Sequence, residues 1–171
     1  MLDRKNVTGV LTALGYEMSD GAWQKYFPDV DCKITVDPVL KKIFYPNGFE
    51  RGFDHNENFV VLECMTRLLD KDRRPSDIEL EKKWRLGHGA SGGRSDICIS
   101  GLDGKMLAII ECKTSVEFDA ALEQTKLDGG QLFSYWQQTR ECNRLVLYAS
   151  DFVDGKIMHR AESIDCSQFC F

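Results

Sequence analysis

The sequence predicts an α/β fold in which helices flank a central mixed sheet. Apolar residues recur at helical spacing in residues 56–70, and a second helix is expected from about Gly130 to Arg140. Strand patterns lie between and after these helices, at 94–100, 105–114 and 144–149. A helix, several strands, a helix and a further strand in this order favour one mixed sheet with helices packed on it.

The length of 171 residues suits one domain. We divide it into a flanking segment (1–52), a core (53–150) and a C-terminal tail (151–171). A composition of 43% hydrophobic and 29% charged residues is ordinary for a globular protein and argues against disorder. No apolar stretch approaches the roughly 18 residues of a membrane span, and the N-terminus lacks the apolar centre of a signal peptide. We therefore expect a cytoplasmic protein.

The seven cysteines raise the alternatives of disulfides or zinc binding. None of them forms a CxxC pair, and the only close spacing is from Cys166 to Cys170. Several stand inside apolar runs. This pattern favours reduced cysteines that act as small hydrophobic residues in the core.

The N-terminal segment shows fewer clear elements. Residues 3–14 predict a helix, because their apolar positions follow helical spacing and Gly15 is typical of a helix end. Between residues 21 and 52 only two short strands can be predicted, at 32–36 and 42–45. We expect this segment to form a lid or flank on the core.

The core strands carry the more informative pattern. Three are predicted, at 78–86, 94–100 and 105–114. The sequence Asp103-Gly104 between the last two is a strong reversal signal, so these strands should form an antiparallel hairpin.

This hairpin brings charged residues together. If its turn centres near Asp103, paired residues have numbers that sum to about 206, which places Asp96 almost opposite Glu111. Opposed carboxylates destabilise a sheet unless a cation neutralises them, and an oxygen-preferring divalent ion is the natural one. Because strand side chains alternate, Lys113 shares the face of Glu111. Two carboxylates and one lysine are therefore expected at one place.

Such a trio suits the hydrolysis of phosphodiester bonds. Carboxylates hold one or two Mg²⁺ ions, with Mn²⁺ as a substitute, and the metal lowers the pKa of a bound water. Lys113 would orient or help deprotonate the water, or offset charge on the phosphate. The apolar residues Ile109 and Ile110 indicate that the charged pair ends a buried strand, where charge usually has a purpose.

Two segments resemble the PD-(D/E)xK nuclease superfamily, which has a restriction endonuclease-like fold. They are GRSDICI (93–99) and IIECKT (109–114), in the superfamily's order. The resemblance implies that Asp96 and Glu111 bind metal and that Asp96, Glu111 and Lys113 form the catalytic site.

A further element lies downstream in QLFSYW, where Gln131 and Tyr135 form a QxxxY pattern one helical turn apart. It is similar to the element of the RecB-like branch and of the N-terminal nuclease domain of type I restriction enzyme R subunits. The resemblance implies that both residues contact DNA or brace the site. It covers about residues 56–150, and Ser95 stands where the superfamily has a proline.

The resemblance also implies an acidic residue on the helix before the strands. At 100° per residue Glu57 falls within the apolar stripe, near Val61, whereas Glu63 falls nearly opposite. Glu57 is therefore the predicted third metal ligand. The alternative is a solvated first-turn glutamate favoured by the helix dipole.

Two other features bear on the function. The net charge of −5 argues against a strongly basic DNA-binding surface, so DNA affinity would come partly from neighbouring domains. The glycine-rich segment 87–93 is either a DNA-facing loop or a plain turn, since it lacks the ending of a nucleotide-binding P-loop.

These observations predict a Mg²⁺-dependent endonuclease domain that hydrolyses DNA, as part of a restriction-modification system. Its expected partners are DNA and other domains or subunits of a restriction complex, with no membrane. Two alternatives stay open: an inactive DNA-binding or assembly module of the same fold, and a nuclease of RNA or repair intermediates. A simpler alternative for Glu111 and Lys113 is an ordinary surface ion pair.

Overall fold

The computed structural model describes residues 4–53, 55–84, 93–128, 130–139 and 142–166, with the side chains of 127–131 outside that description. Within these residues the chain forms four α-helices and two five-stranded sheets, which confirms the α/β fold class. It divides into two compact units. The first unit contains residues 1–76 and 150–159, and the second contains 77–149 and 160–171.

The first unit holds an antiparallel sheet in the order β1-β2-β3-β4-β5. Its elements are α1 (Val7–Ala13), β1 (Glu17–Ser19), β2 (Ala22–Phe27), β3 (Cys32–Asp37), β4 (Lys42–Phe44), β5 (Glu50–Gly52) and α2 (Glu57–Leu69). The predicted N-terminal helix and the strands at 32–36 and 42–45 are confirmed. Gly15 ends the first helix as expected, with a φ of 78° that suits glycine.

The helix α2 is buried on almost all sides. Every residue from Phe59 to Thr66 is buried, so the solvent-facing side expected of an amphipathic helix is absent from this stretch. The position of Glu63 nearly opposite the apolar stripe therefore does not expose it to solvent. Glu63 is only 1% exposed, and its carboxylate is paired with Arg67 one turn along the helix.

The second unit holds most of a sheet in the order β10-β9-β8-β7-β6, in which β6, β7 and β8 pair antiparallel. Its elements are β6 (Ile78–Lys83), β7 (Arg94–Ser100), β8 (Met106–Thr114), α3 (Phe118–Asp128), α4 (Gly130–Thr139), the first part of β9 (Arg144–Val153) and the last part of β10 (Lys156–Asp165). The predicted strands and the second helix are confirmed where they are described. The helix α3 and the strand β10 were not predicted.

Both helices of the second unit pack on the sheet. They do so through one buried cluster that also holds Cys98 of β7 and Ile109 of β8. The other members are Trp84, Phe118, Leu132, Tyr135, Trp136, Cys142, Leu145, Leu147, Ala149 and Cys166. Burial of this apolar surface is the main stabilising term that fixes the helices on the sheet.

Six cysteines are described, and all are free thiols. Five of them are buried, as expected for small hydrophobic residues. In the part of the chain that the structure describes, no helix has both the length and the apolar character needed to cross a membrane. The division into a 1–52 flank, a 53–150 core and a tail stays a prediction.

Candidate active site

The site is built on the hairpin of β7 and β8. Its turn is held by the N–H of Gly101, which donates to the carbonyl of Lys105 at 2.8 Å. The N–H of Lys105 donates to the Asp103 carboxylate at 3.1 Å, and Gly104 adopts a φ of 76°. The reversal predicted at Asp103-Gly104 is confirmed, because the aspartate and the glycine supply the two features such a turn needs.

The register of the hairpin matches the expected one closely. Ile97 pairs with Ile110, so partner numbers sum to 207 where about 206 was expected. Continued by one residue, the same register puts Asp96 opposite Glu111. The strands therefore carry the two carboxylates to neighbouring positions, as the sequence predicts.

The Asp96 side chain reaches across to β8. It is only 6% exposed, and its Oδ2 accepts the backbone N–H of Cys112 at 2.8 Å. Cys112 lies between Glu111 and Lys113 in the chain. The Asp96 carboxylate is thus tied to the segment that carries both other residues of the trio.

Glu111 and Lys113 form an ion pair. The distance from Lys113 Nζ to Glu111 Oε1 is 2.9 Å, which confirms that the two residues share a face of β8. The side chain of Glu111 is 5% exposed and that of Lys113 is 21% exposed. The other carboxylate oxygen, Glu111 Oε2, is also buried. Lys113 therefore lies at the rim of the site and Glu111 inside it.

A break in the pattern of β7 accounts for the direction of Asp96. Ser95 Oγ and Cys98 Sγ are 3.1 Å apart, although residues three positions apart point to opposite faces of a regular strand. The alternation of side chains must therefore be interrupted between them, where Asp96 stands. This is consistent with a carboxylate that points along the sheet towards the backbone of β8.

Tyr135 braces the strand that carries Asp96. Its ring is 1% exposed and lies against Trp84, with 5.6 Å between ring centroids, and its hydroxyl donates to the carbonyl of Arg94 at 2.8 Å. A Cβ at position 93 would lie 2.7 Å from Tyr135 Cε1, so only Gly93 allows this approach. These contacts tie Tyr135 to β7, and the two roles expected for it, contact with DNA or bracing of the site, stay predictions. The side chain of Gln131 lies outside the described residues.

Sequence reasoning missed a polar chain beneath the site. Trp84 Nε1 donates to Ser95 Oγ at 2.9 Å, and Ser95 is fully buried. Burial raises the pKa of the neighbouring Cys98 thiol to about 11, so it stays protonated at neutral pH. A serine directly before Asp96, in a strand that continues with Ile97, Cys98 and Ile99, was the available signal.

Glu57 lies in the first unit, at the start of α2, and is half-buried. Asp96, Glu111 and Lys113 lie in the second unit. The place of Glu57 among the metal ligands stays a prediction. The alternative, a first-turn glutamate favoured by the helix dipole, also stays open. Residues 85–92, which include most of the glycine-rich segment 87–93, also lie outside the described part of the chain.

The donor set indicates which metal the site would suit. Among the described residues there is no group of three or more His, Cys, Asp and Glu side chains placed to hold an ion. Asp96 and Glu111 are a pair of hard oxygen donors. Mg²⁺ is usually bound through one or two carboxylates and keeps several waters, so this pair fits Mg²⁺ better than zinc or a calcium cage.

A comparison with known protein families found no match, and a comparison with curated protein sequences found none either. The function is therefore inferred from the geometry of the site.

Proposed function

We propose that this chain is a Mg²⁺-dependent endonuclease domain with a restriction endonuclease-like fold, and that it hydrolyses phosphodiester bonds of DNA. One observation carries the proposal. The β7–β8 hairpin brings Asp96, Glu111 and Lys113 to the same end of two paired strands. These residue types in this arrangement suit metal-assisted hydrolysis of a phosphodiester.

The burial of the trio supports a functional role over a surface ion pair. Glu111 is 4% exposed and Asp96 is 6% exposed, whereas an ordinary surface pair has both partners in water. Two buried carboxylates on paired strands place like charges close together. A divalent cation bound by Asp96 and Glu111 would balance that charge.

Each residue has a distinct part in the proposed reaction. Asp96 and Glu111 would hold Mg²⁺ or Mn²⁺, which when bound supplies positive charge at the phosphate and lowers the pKa of a water. Glu111 also orients Lys113 through the 2.9 Å ion pair. Lys113, at the rim, would orient the attacking water or stabilise the charge that develops on the phosphate.

The test is cleavage of supercoiled plasmid DNA with Mg²⁺ or Mn²⁺, compared with EDTA. We expect nicking and linearisation by the wild type and a loss of cleavage in Asp96→Asn. Asp119→Asn is the matched control, because Asp119 lies in the same unit with a side chain that is 74% exposed. DNA binding without cleavage in either metal would favour the inactive module. Faster cleavage of RNA or branched DNA, tested side by side, would favour the other alternative.

We further propose that the protein works in the cytoplasm as part of a restriction-modification system. The six described thiols are consistent with a reducing compartment. With a net charge of −5, this chain would take part of its DNA affinity from other domains or subunits. Tighter DNA binding by a purified native complex than by this chain alone is the expected result.

A further inference from the structure

Glu81 in β6 has an unusual backbone conformation beside the site. Its φ is 53°, in the left-handed region that side-chain-bearing residues rarely adopt. The flanking pairs are Leu80↔Ile97 and Lys82↔Ser95, so Glu81 stands at the register position opposite Asp96. No turn requires this conformation, because Glu81 lies within a strand.

The left-handed residue changes the direction of the side chains that follow it. Lys82 Nζ lies 2.6 Å from Glu79 Oε2, although residues three positions apart in a regular strand face opposite sides. The alternation of β6 is therefore broken at Glu81, as that of β7 is broken near Asp96. Both strands are irregular at the same level of the sheet.

The carboxylate of Glu81 holds an arginine. Arg94 Nη1 lies 2.9 Å from Glu81 Oε2, with the Glu81 side chain 18% exposed and the Arg94 side chain 61% exposed. A guanidinium group has five N–H donors in a planar fork. One edge of the fork is anchored on Glu81, and most of the side chain faces solvent.

Arg94 is also fixed from its backbone. Its carbonyl accepts the Tyr135 hydroxyl at 2.8 Å, and it lies two residues before Asp96 in the same strand. Two residues along a strand span roughly 7 Å, which is about the distance between neighbouring phosphates of a DNA strand. Along the backbone of β7, Arg94 is thus about one phosphate spacing from the predicted metal ligand Asp96.

We propose that Arg94 binds a DNA phosphate next to the one that is cleaved, and that Glu81 is its positioning residue. This inference rests on the proposed nuclease function. Arginine forks pair with phosphate through two parallel hydrogen bonds. A partly exposed ion pair contributes little stability, whereas a strained backbone is costly and concentrates at functional sites. The strain at Glu81 is therefore better explained by placing Arg94 than by stabilising the fold.

The test measures binding of the purified chain to a short labelled DNA duplex in EDTA, over a range of salt concentrations. We expect Arg94→Ala to weaken binding roughly tenfold at low salt and to reduce the slope of log K against log salt by about 0.9, the loss of one phosphate contact. Arg94→Lys keeps the positive charge but lacks the planar guanidinium group. It should restore the wild-type salt slope but only part of the DNA affinity. Arg144→Ala, an exposed arginine of the same unit, should change neither quantity.

Because no cleavage occurs in EDTA, failure of this inference is distinguishable from failure of the nuclease proposal. If the wild type cleaves plasmid but Arg94→Ala leaves the salt slope unchanged, only the phosphate contact of Arg94 is overturned. If the wild type never cleaves plasmid but Arg94→Ala still reduces the slope of log K against log salt, only the nuclease proposal is overturned. If the wild type shows no measurable DNA binding in EDTA, the phosphate contact of Arg94 is also overturned.

The variant Glu81→Gly removes the carboxylate that positions Arg94 and at the same time relieves the backbone strain at position 81. Glycine accepts a φ of 53° readily, so this variant should fold with an unchanged or higher Tm. We expect a rise of several-fold in the KM for cleavage with little change in kcat. That rise should vanish in the Arg94→Ala background, because Glu81 acts through Arg94. The same rise in both backgrounds would overturn the positioning role.

Discussion

Two buried glutamates, one in each unit, are held in different ways. In the first unit, Glu63 Oε1 accepts hydrogen bonds from both Nε and Nη2 of Arg67, at 3.1 Å and 2.5 Å. In the second unit, Glu111 Oε1 accepts one hydrogen bond from Lys113, and the Asp96 carboxylate is tied to the adjoining residue of β8. In the first arrangement a carboxylate is paired with a guanidinium group. In the second, two carboxylates and an ammonium group lie on paired strands.

The difference shows how to tell a structural charge from a functional one. A buried ion pair with matched charges and several hydrogen bonds repays much of its desolvation cost within the protein. Two neighbouring carboxylates repay less of this cost, because like charges in a poorly solvated place raise each other's energy. The fold tolerates such a group best when a ligand completes it. On this comparison we expect the pair in α2 to stabilise the fold, and we propose that β7 and β8 carry a site.

The largest expected difference is in cleavage. Glu111→Ala should lower the rate of plasmid cleavage at saturating Mg²⁺ by roughly a thousandfold or more, because it removes a metal ligand and the partner of Lys113. Glu63→Gln should leave the rate within about threefold of the wild type, since it keeps the side-chain shape. Single-turnover kinetics and circular dichroism of each variant provide the measurement. Retained cleavage in Glu111→Ala would remove the assignment.

The second difference is in the response to metal. Mg²⁺ at a hundred times its Kd should raise the free energy of unfolding by about 2.7 kcal/mol, because only the folded site binds it. Glu111→Gln should lose this response, while Glu63→Gln should keep it. Thermal unfolding with and without Mg²⁺, at constant ionic strength, measures the effect. An equal response in both variants would place the metal elsewhere.

The third difference is in stability without metal. Glu63→Ala should cost about 2 kcal/mol, less than a fully buried broken pair, because the Arg67 side chain is 32% exposed and can regain water. Asp96→Asn should cost less than about 1 kcal/mol in EDTA, since it relieves the repulsion between two carboxylates. Urea unfolding gives both values. A larger loss in Asp96→Asn than in Glu63→Ala would reverse the comparison.

The smallest difference concerns two buried tyrosines. Tyr16 shares a 2.8 Å hydrogen bond with Thr66 in the first unit, and Tyr135 donates to the Arg94 carbonyl in the second. Each Tyr→Phe change should cost about 1 kcal/mol, the usual net value of one hydrogen bond. Only Tyr135→Phe should also slow cleavage, by a few-fold, since it loosens the strand that holds Asp96. Equal cleavage by both variants would show that Tyr135 supports the fold alone.

The elements predicted from the sequence were those with long, strong patterns. The second helix of the first unit, the β7–β8 hairpin and its register followed from apolar periodicity and from the turn at Asp103-Gly104. The strands β1, β2 and β5 were missed. The six residues of β2 are mostly half-buried, so they show no alternation of buried and exposed side chains. In β10 nearly every residue is exposed, so burial leaves no alternation to read.

The sequence by itself determined that Asp96, Glu111 and Lys113 meet, because turn chemistry and the two-residue period of a strand depend only on residues close in the chain. Only the tertiary structure decided the burial of Glu63, the bracing of β7 by Tyr135 and the left-handed backbone of Glu81. Each of these depends on contacts between segments distant in sequence or on strain that the surrounding sheet imposes. Local patterns contain no record of such contacts, so only the folded chain reveals them.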